Sequence, residues 1–168
     1  MRSAHQAFVR RAALAVVVLA VVTGCSTPAP VADSELSPLE SQQALFAVLD
    51  ETQRAAGGEW ETQDSPSPRP CTLPGSGDDG VTFSGRRLRD GVGPSADETD
   101  AIVAGLEKAG FEVGRETVGG FDNVRAVMPG NGSYYVLLEA GTNVTALSGQ
   151  AACVPGDIIE ELQRVKDS

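Results

Sequence analysis

FEVGRETVGGFDNVRAVMPGNGSYYVLLEAGTNVTALSG, residues 111–149, is the stretch that decides the fold. It divides into four strand-like runs, Phe111–Val118, Asn123–Met128, Tyr134–Ala140 and Asn143–Gly149. Between them stand Gly119-Gly120-Phe121-Asp122, Pro129-Gly130-Asn131-Gly132 and Gly141-Thr142, all of them turn residues. Parallel neighbours need a crossover of a dozen residues or more, so connections this short force antiparallel pairing and a meander. Tyr134-Tyr135-Val136-Leu137-Leu138 is apolar on both parities, which predicts a central strand.

Upstream of the meander, Ser95-Ala96-Asp97-Glu98 is a capping box, and Ile102, Val103, Leu106 and Ala109 form the apolar stripe of the helix it opens. Val81–Arg89 reads as a strand. Val81 and Phe83 share a face while Leu88 falls on the other parity, so Gly85 is expected to mark a bulge. Trp60–Gln63 reads as a short strand, and the three prolines of 64–70 exclude a regular interior strand after it. Ser37-Pro38-Leu39-Glu40 is a second capping box, with Pro at the first helical position. Leu39, Phe46 and Leu49, flanked by Leu45 and Val48, give its helix an apolar face, and Gly57-Gly58 ends it. After the meander, Cys153 and Pro155 lead to a last helix with Ile158, Ile159, Leu162 and Val165 along one side. The fold class that follows is α+β: a mostly antiparallel sheet with a four-stranded meander and helices packed on one face, forming a single domain over 37–168.

The N-terminus has a different composition. Three arginines, Arg2, Arg10 and Arg11, precede an uncharged apolar run from Ala12 to Val22. That run is short for a permanent membrane span and suits the core of a signal peptide. Val22-Thr23-Gly24-Cys25 matches the lipobox of bacterial lipoproteins, which implies cleavage between Gly24 and Cys25 and lipid on the Cys25 sulfur. Residues 1–24 are thus expected to be a signal peptide and 25–36 a lipidated Pro/Ser/Ala-rich tether. Two or three acyl chains meet the two-signal requirement for stable anchoring. The predicted location is the extracytoplasmic face of the cell membrane.

Charge and cysteine content narrow the function. Cleavage leaves 10 basic groups against 23 acidic ones, a balance that repels nucleic acid. Of three cysteines, lipid on Cys25 leaves Cys71 and Cys153 as an even pair, read as a structural disulfide in an oxidising compartment. The only histidine, His5, lies in the signal peptide, so the mature chain lacks imidazole for a Ser-His-Asp triad or a His-ligated metal. Lys108 and Lys166 sit at helix ends, poor places for a catalytic lysine. Asp97, Glu98 and Asp100 suit a helix start, Glu160-Glu161 a solvated face, and Asp78-Asp79-Gly80 a turn without the spacing of a calcium loop. Arg86, Arg87 and Arg89 form the one basic cluster, expected to pair with carboxylates on neighbouring elements. No catalytic residue, metal or cofactor is assigned.

The order of lipobox, tether, first helix, Trp60, Cys71 and Ala152-Cys153-Val154-Pro155 resembles the LppA-like lipoproteins of mycobacteria and related actinobacteria. The chain departs from that family by continuing into a further helix over 156–166. The resemblance implies an envelope lipoprotein and brings no activity with it. The expected function is a non-enzymatic binding or structural module that meets an envelope protein. The alternative is a carrier for a small apolar ligand or lipid, and a carboxylate-dependent hydrolase comes third.

Overall fold

Two local signals fix the helical layer of the structure, a computed structural model that describes residues 36–167. The signal peptide, the lipobox with Gly24 and Cys25, and the tether up to residue 35 lie outside the described residues. Helix α1 (Pro38–Ala56) and helix α2 (Ala96–Lys108) each begin with the expected reciprocal box. Ser37 and Ser95 accept from the backbone N–H of Glu40 and Glu98, and those glutamates accept from the serine N–H in return.

The buried stripe of α1 is Ser41, Leu45, Leu49, Thr52 and Ala56, with Gln42 beside it. That spacing of three and four follows one helical face, and Leu39 lies about 120° away from its centre at 100° per residue. Leu39 is accordingly 41% exposed, contrary to the sequence reading, while Phe46 and Val48 are half-buried at the edges of the stripe. In α2 Thr99, Ile102 and Leu106 are buried, with Val103 and Ala109 at the margin.

The strands are β1 (Glu61–Thr62), β2 (Ser65–Thr72), β3 (Asp79–Asp90), β4 (Glu112–Val118), β5 (Phe121–Met128), β6 (Asn131–Glu139) and β7 (Val144–Gln150). All pair antiparallel in one sheet. β1 and β2 share one side of β3, and β7, β6, β5 and β4 follow in order on the other. The meander is as expected, with β6 central. The Gly119-Gly120 pair alone makes the first hairpin, at φ 61° and 86°, so Phe121 and Asp122 belong to β5 and pair with Val118 and Thr117.

Gly85 is not a bulge. The β3–β7 register runs unbroken from Ser84↔Gln150 to Asp90↔Val144. The parity of Val81 and Phe83 continues through Gly85, Arg87 and Arg89, all buried beneath the helices. Gly85 is there for closeness: a Cβ on it would sit 2.5 Å from Leu49 Cδ1. The irregularity lies in the partner strand instead, between Ser65 and Arg69 of proline-rich β2.

β2 is an edge strand, the position that prolines permit. Pro70 stands opposite Val81, whose N–H and C=O both go to Val154 on the other side of β3, so no N–H is required of residue 70. Cys71 and Cys153 form the expected disulfide, with Cα atoms 6.0 Å apart at a sequence separation of 82. The bridge crosses β3 beside Gly80, the partner of Cys71 in the ladder; a Cβ there would sit 3.0 Å from Cys153 Sγ and 2.7 Å from the Val154 carbonyl. Gly80 therefore makes room for a disulfide and is not merely part of a solvated turn.

Helices α1 and α2 pack on each other and on the sheet through Leu45, Leu49, Ile102 and Leu106, over Phe83, Val124, Val136, Leu138 and Leu147. The last helix, α3 (Ile158–Lys166), packs on β2 and buries no residue completely. Its expected apolar side is split. Ile158 meets the core, whereas Ile159 and Leu162 point to solvent. The less exposed side of α3 also carries an ion pair between Glu161 and Arg164, N···O 2.6 Å.

Candidate functional site

A cleft of about 860 Å³ opens where α1 ends and β3 runs out beneath the loop to α2. Trp60 lines it, and two contacts hold that ring. The indole Nε1–H donates to the Gly57 carbonyl at 2.7 Å, and the Arg89 guanidinium carbon lies 5.2 Å from the ring centroid. Arg89 is itself fixed. Its Nη1 donates to the carbonyls of Ala56 at 2.6 Å and Gly57 at 3.0 Å, and Nη2 to Val92 O at 3.0 Å. A cation on the last carbonyls of a helix satisfies orphan acceptors and complements the dipole. The sequence places Arg89 there by strand parity, since every second residue of β3 faces the helices.

Four carboxylates, Glu59, Glu61, Asp90 and Glu98, line the same cleft, and Leu88, Val92 and Val144 supply apolar wall. Val92 and Val144 are exposed. Hydrogen bonds from the Ser95 backbone and side chain hold the Glu98 carboxyl below the usual carboxylate range, and the Arg89 charge acts in the same direction against a small opposing effect of burial. Glu98 is thus ionised at neutral pH. Four acids around one arginine leave the cleft net negative, so it attracts cations, and the immobilised ring with its apolar rim favours a ligand that carries hydrocarbon as well.

A second concavity, about 580 Å³, runs between α1 and α2 on their outer side. Ala47, Val48, Ala55, Ala101, Gly105 and Ala109 line it, with Thr52, Ile102 and Leu106 at its floor. It exists because these positions carry small side chains; a Cβ on Gly105 would meet nothing within 4 Å. The Thr52 hydroxyl is already committed to the Val48 carbonyl at 2.8 Å, so apart from Glu51 and Lys108, which also line the groove, its surface is apolar.

The predicted basic cluster does not gather. Arg86 is exposed on the open face of the sheet, and Arg89 serves α1 and Trp60. Arg87, its side chain 3% exposed, donates to Asp50 and Asp64 at 2.6 Å each, a partnership of the expected kind. Of the acids weighed from sequence, Glu98 faces the cleft while Asp100 pairs with Arg115. Lys108 and Lys166 are exposed at the ends of α2 and α3. Among the described residues no three His, Cys, Asp or Glu side chains are grouped to hold a metal ion, and no helix is long and apolar enough to cross a membrane.

Sequence reasoning read Trp60 as the start of a strand and missed its role. The available signal was that it is the chain's one tryptophan, set directly behind the Gly57-Gly58 helix stop.

No family model and no curated protein matches this chain. Its fold is similar to that of a DUF4853 family protein from Actinomyces odontolyticus. The TM-score is 0.53 at 16% identity, over 75% of this chain and 76% of that one. A likeness at that identity concerns the fold alone.

Proposed function

We propose that this protein is a lipid-anchored envelope module that holds a basic, partly apolar segment of a partner in the Trp60 cleft. The observation that carries the reading is the immobilised indole with four carboxylates and two exposed valines around it. A fixed aromatic platform lowers the ordering cost of binding, and the acids steer a cationic partner toward it. The lipid anchor rests on the signal peptide and the lipobox ending at Cys25. Kinship with the LppA-like lipoproteins belongs to the same reading. Attachment is tested by labelled palmitate, which should enter the chain and be lost in Cys25→Ala. Binding is tested by titration calorimetry of the mature chain with a Lys-Leu-Lys peptide. Binding that weakens with salt, and no binding of Glu-Leu-Glu, is the expected result; equal binding of both peptides contradicts it.

A second reading, a carrier for an apolar molecule, is favoured by the α1–α2 groove and its lining of alanines and one glycine. Uptake of laurate at one molecule per chain, abolished by Gly105→Leu, would support it.

A further inference from the structure

We propose that the end of the domain nearest the tether rests on the bilayer, with Leu39, Ile159 and Leu162 entering the lipid interface. This inference rests on the reading of Cys25 as the lipidated residue. On α3, Ile159 is 70% exposed and Leu162 43%, although the helix is docked on β2 through its other side. Positions 159, 162 and 166 follow one helical stripe, so the two apolar side chains and exposed Lys166 form a single outward surface. An outward apolar stripe on an otherwise polar helix suits a helix lying in a membrane interface.

The location selects the occupant. A Cβ on Gly156 would lie 3.0 Å from the Pro38 ring, so the approach to α3 abuts the first residue of α1, and exposed Leu39 is the next residue. This is where the chain leaves toward Cys25. Only 11 residues separate Cys25 from Ser37, a span of at most about 40 Å when fully extended. An anchor so close gives the nearby surface a high effective concentration at the bilayer, so even a small apolar patch stays engaged. The strongly acidic chain gains nothing from anionic headgroups, so contact is by apolar insertion.

Val92 and Val144, also exposed, rim the Trp60 cleft instead. That cleft opens at the far end of α1, a helix of 19 residues and so about 28 Å long. Docking through α3 therefore turns the cleft away from lipid.

The test uses the mature lipidated chain carrying Trp60→Phe and Ile159→Trp, in phosphatidylcholine vesicles with and without brominated acyl chains. Intact mass first establishes acylation of Cys25. The indole at position 159 should lose emission in brominated vesicles, less so when Leu162→Ser is added, while Trp60 in the unaltered protein keeps its emission. An acylated chain whose position-159 indole is unquenched, including one buried between two copies in a dimer seen by native mass, overturns the inference alone. A chain with no acyl group overturns the anchor reading and this inference together.

Discussion

The Trp60 cleft and the α1–α2 groove lie at two places on the same helix, and they are built on opposite principles. The cleft is made by large side chains tied down by hydrogen bonds: an indole on a carbonyl, a guanidinium on three carbonyls, a carboxylate in a capping box. The groove is made by what is missing, since alanine and glycine stand where larger side chains would close the gap between two helices. A concavity made by committed polar groups is pre-organised and carries charge. One made by small residues is smooth, apolar and adaptable. Volume alone therefore does not assign a site, and either region can be disrupted without the other.

Arg89→Ala should have the largest effect on the cleft, because it leaves the buried Ala56 carbonyl unmet, takes one of two donors from Gly57 and removes the cation from the Trp60 ring. At about 1–3 kcal/mol for an unmet buried acceptor, a loss of roughly 1–3 kcal/mol is expected by denaturant unfolding, with a red shift of Trp60 emission. An effect below about 1 kcal/mol would mean the cleft is not held as described. Arg87→Ala, next to it on the same face, should cost ~3–5 kcal/mol by leaving Asp64 without its partner. It should leave the Trp60 spectrum unchanged, which separates the arginine that builds the cleft from the one that only supports the fold.

On the groove side, Gly105→Ala should raise stability by about 0.8–1 kcal/mol through helix propensity, since the added methyl meets no neighbour. The cleft's affinity should not move. Destabilisation by that variant would show that α1 and α2 sit closer together than the groove allows.

Alkaline titration tests the core the two regions share. Burial pushes the Tyr134 phenol up to about 12 from an ordinary value of 10, and Phe111 stacks edge-on against its ring. The folded state favours the neutral phenol, so this contribution is complete below pH 10 and is lost as pH rises through about 12. In Tyr135→Phe, which leaves Tyr134 as the sole tyrosine, phenolate absorbance should appear near pH 12 and not near 10. The smallest effect is on the acid side. Hydrogen bonds to Ser37 and Ser95 lower the Glu40 and Glu98 carboxyls from 4.5, so their support is present above that pH and fades as it falls through the folded values. Glu98→Gln should flatten this acid limb slightly and weaken cation binding in the cleft.

Much of the fold was legible because its determinants are local. The Ser37 and Ser95 boxes, the Gly119-Gly120 hairpin and the doubly apolar Tyr134–Leu138 run each fix structure within a few residues. The errors came where polar residues are buried by distant partners. Arg87 and Arg89 continue the inward face of Val81 and Phe83, but apolar Leu88 on the other parity made that face look switched, and a bulge was expected at Gly85. What makes the face tolerable is Asp50, Asp64 and the end of α1, up to 37 residues away in sequence. The cleft was illegible for the same reason. Its walls come from residues 58–61, 88–90, 92–93, 98 and 144, which no window of sequence brings together. Nor does helical spacing say that Ile159 and Leu162 would face solvent, because that depends on which side of α3 docks on β2.

If the proposed function holds, a partner binds in the Trp60 cleft and not in the α1–α2 groove. Because the chain has one tryptophan, its emission reports on that cleft without a label. Titration of the mature chain with the Lys-Leu-Lys peptide should give a saturable change in Trp60 emission that weakens in Glu59→Gln with Asp90→Asn and survives Gly105→Leu. Flat emission toward the peptide, alongside stoichiometric laurate binding that Gly105→Leu abolishes, would contradict the account and give the site to the groove.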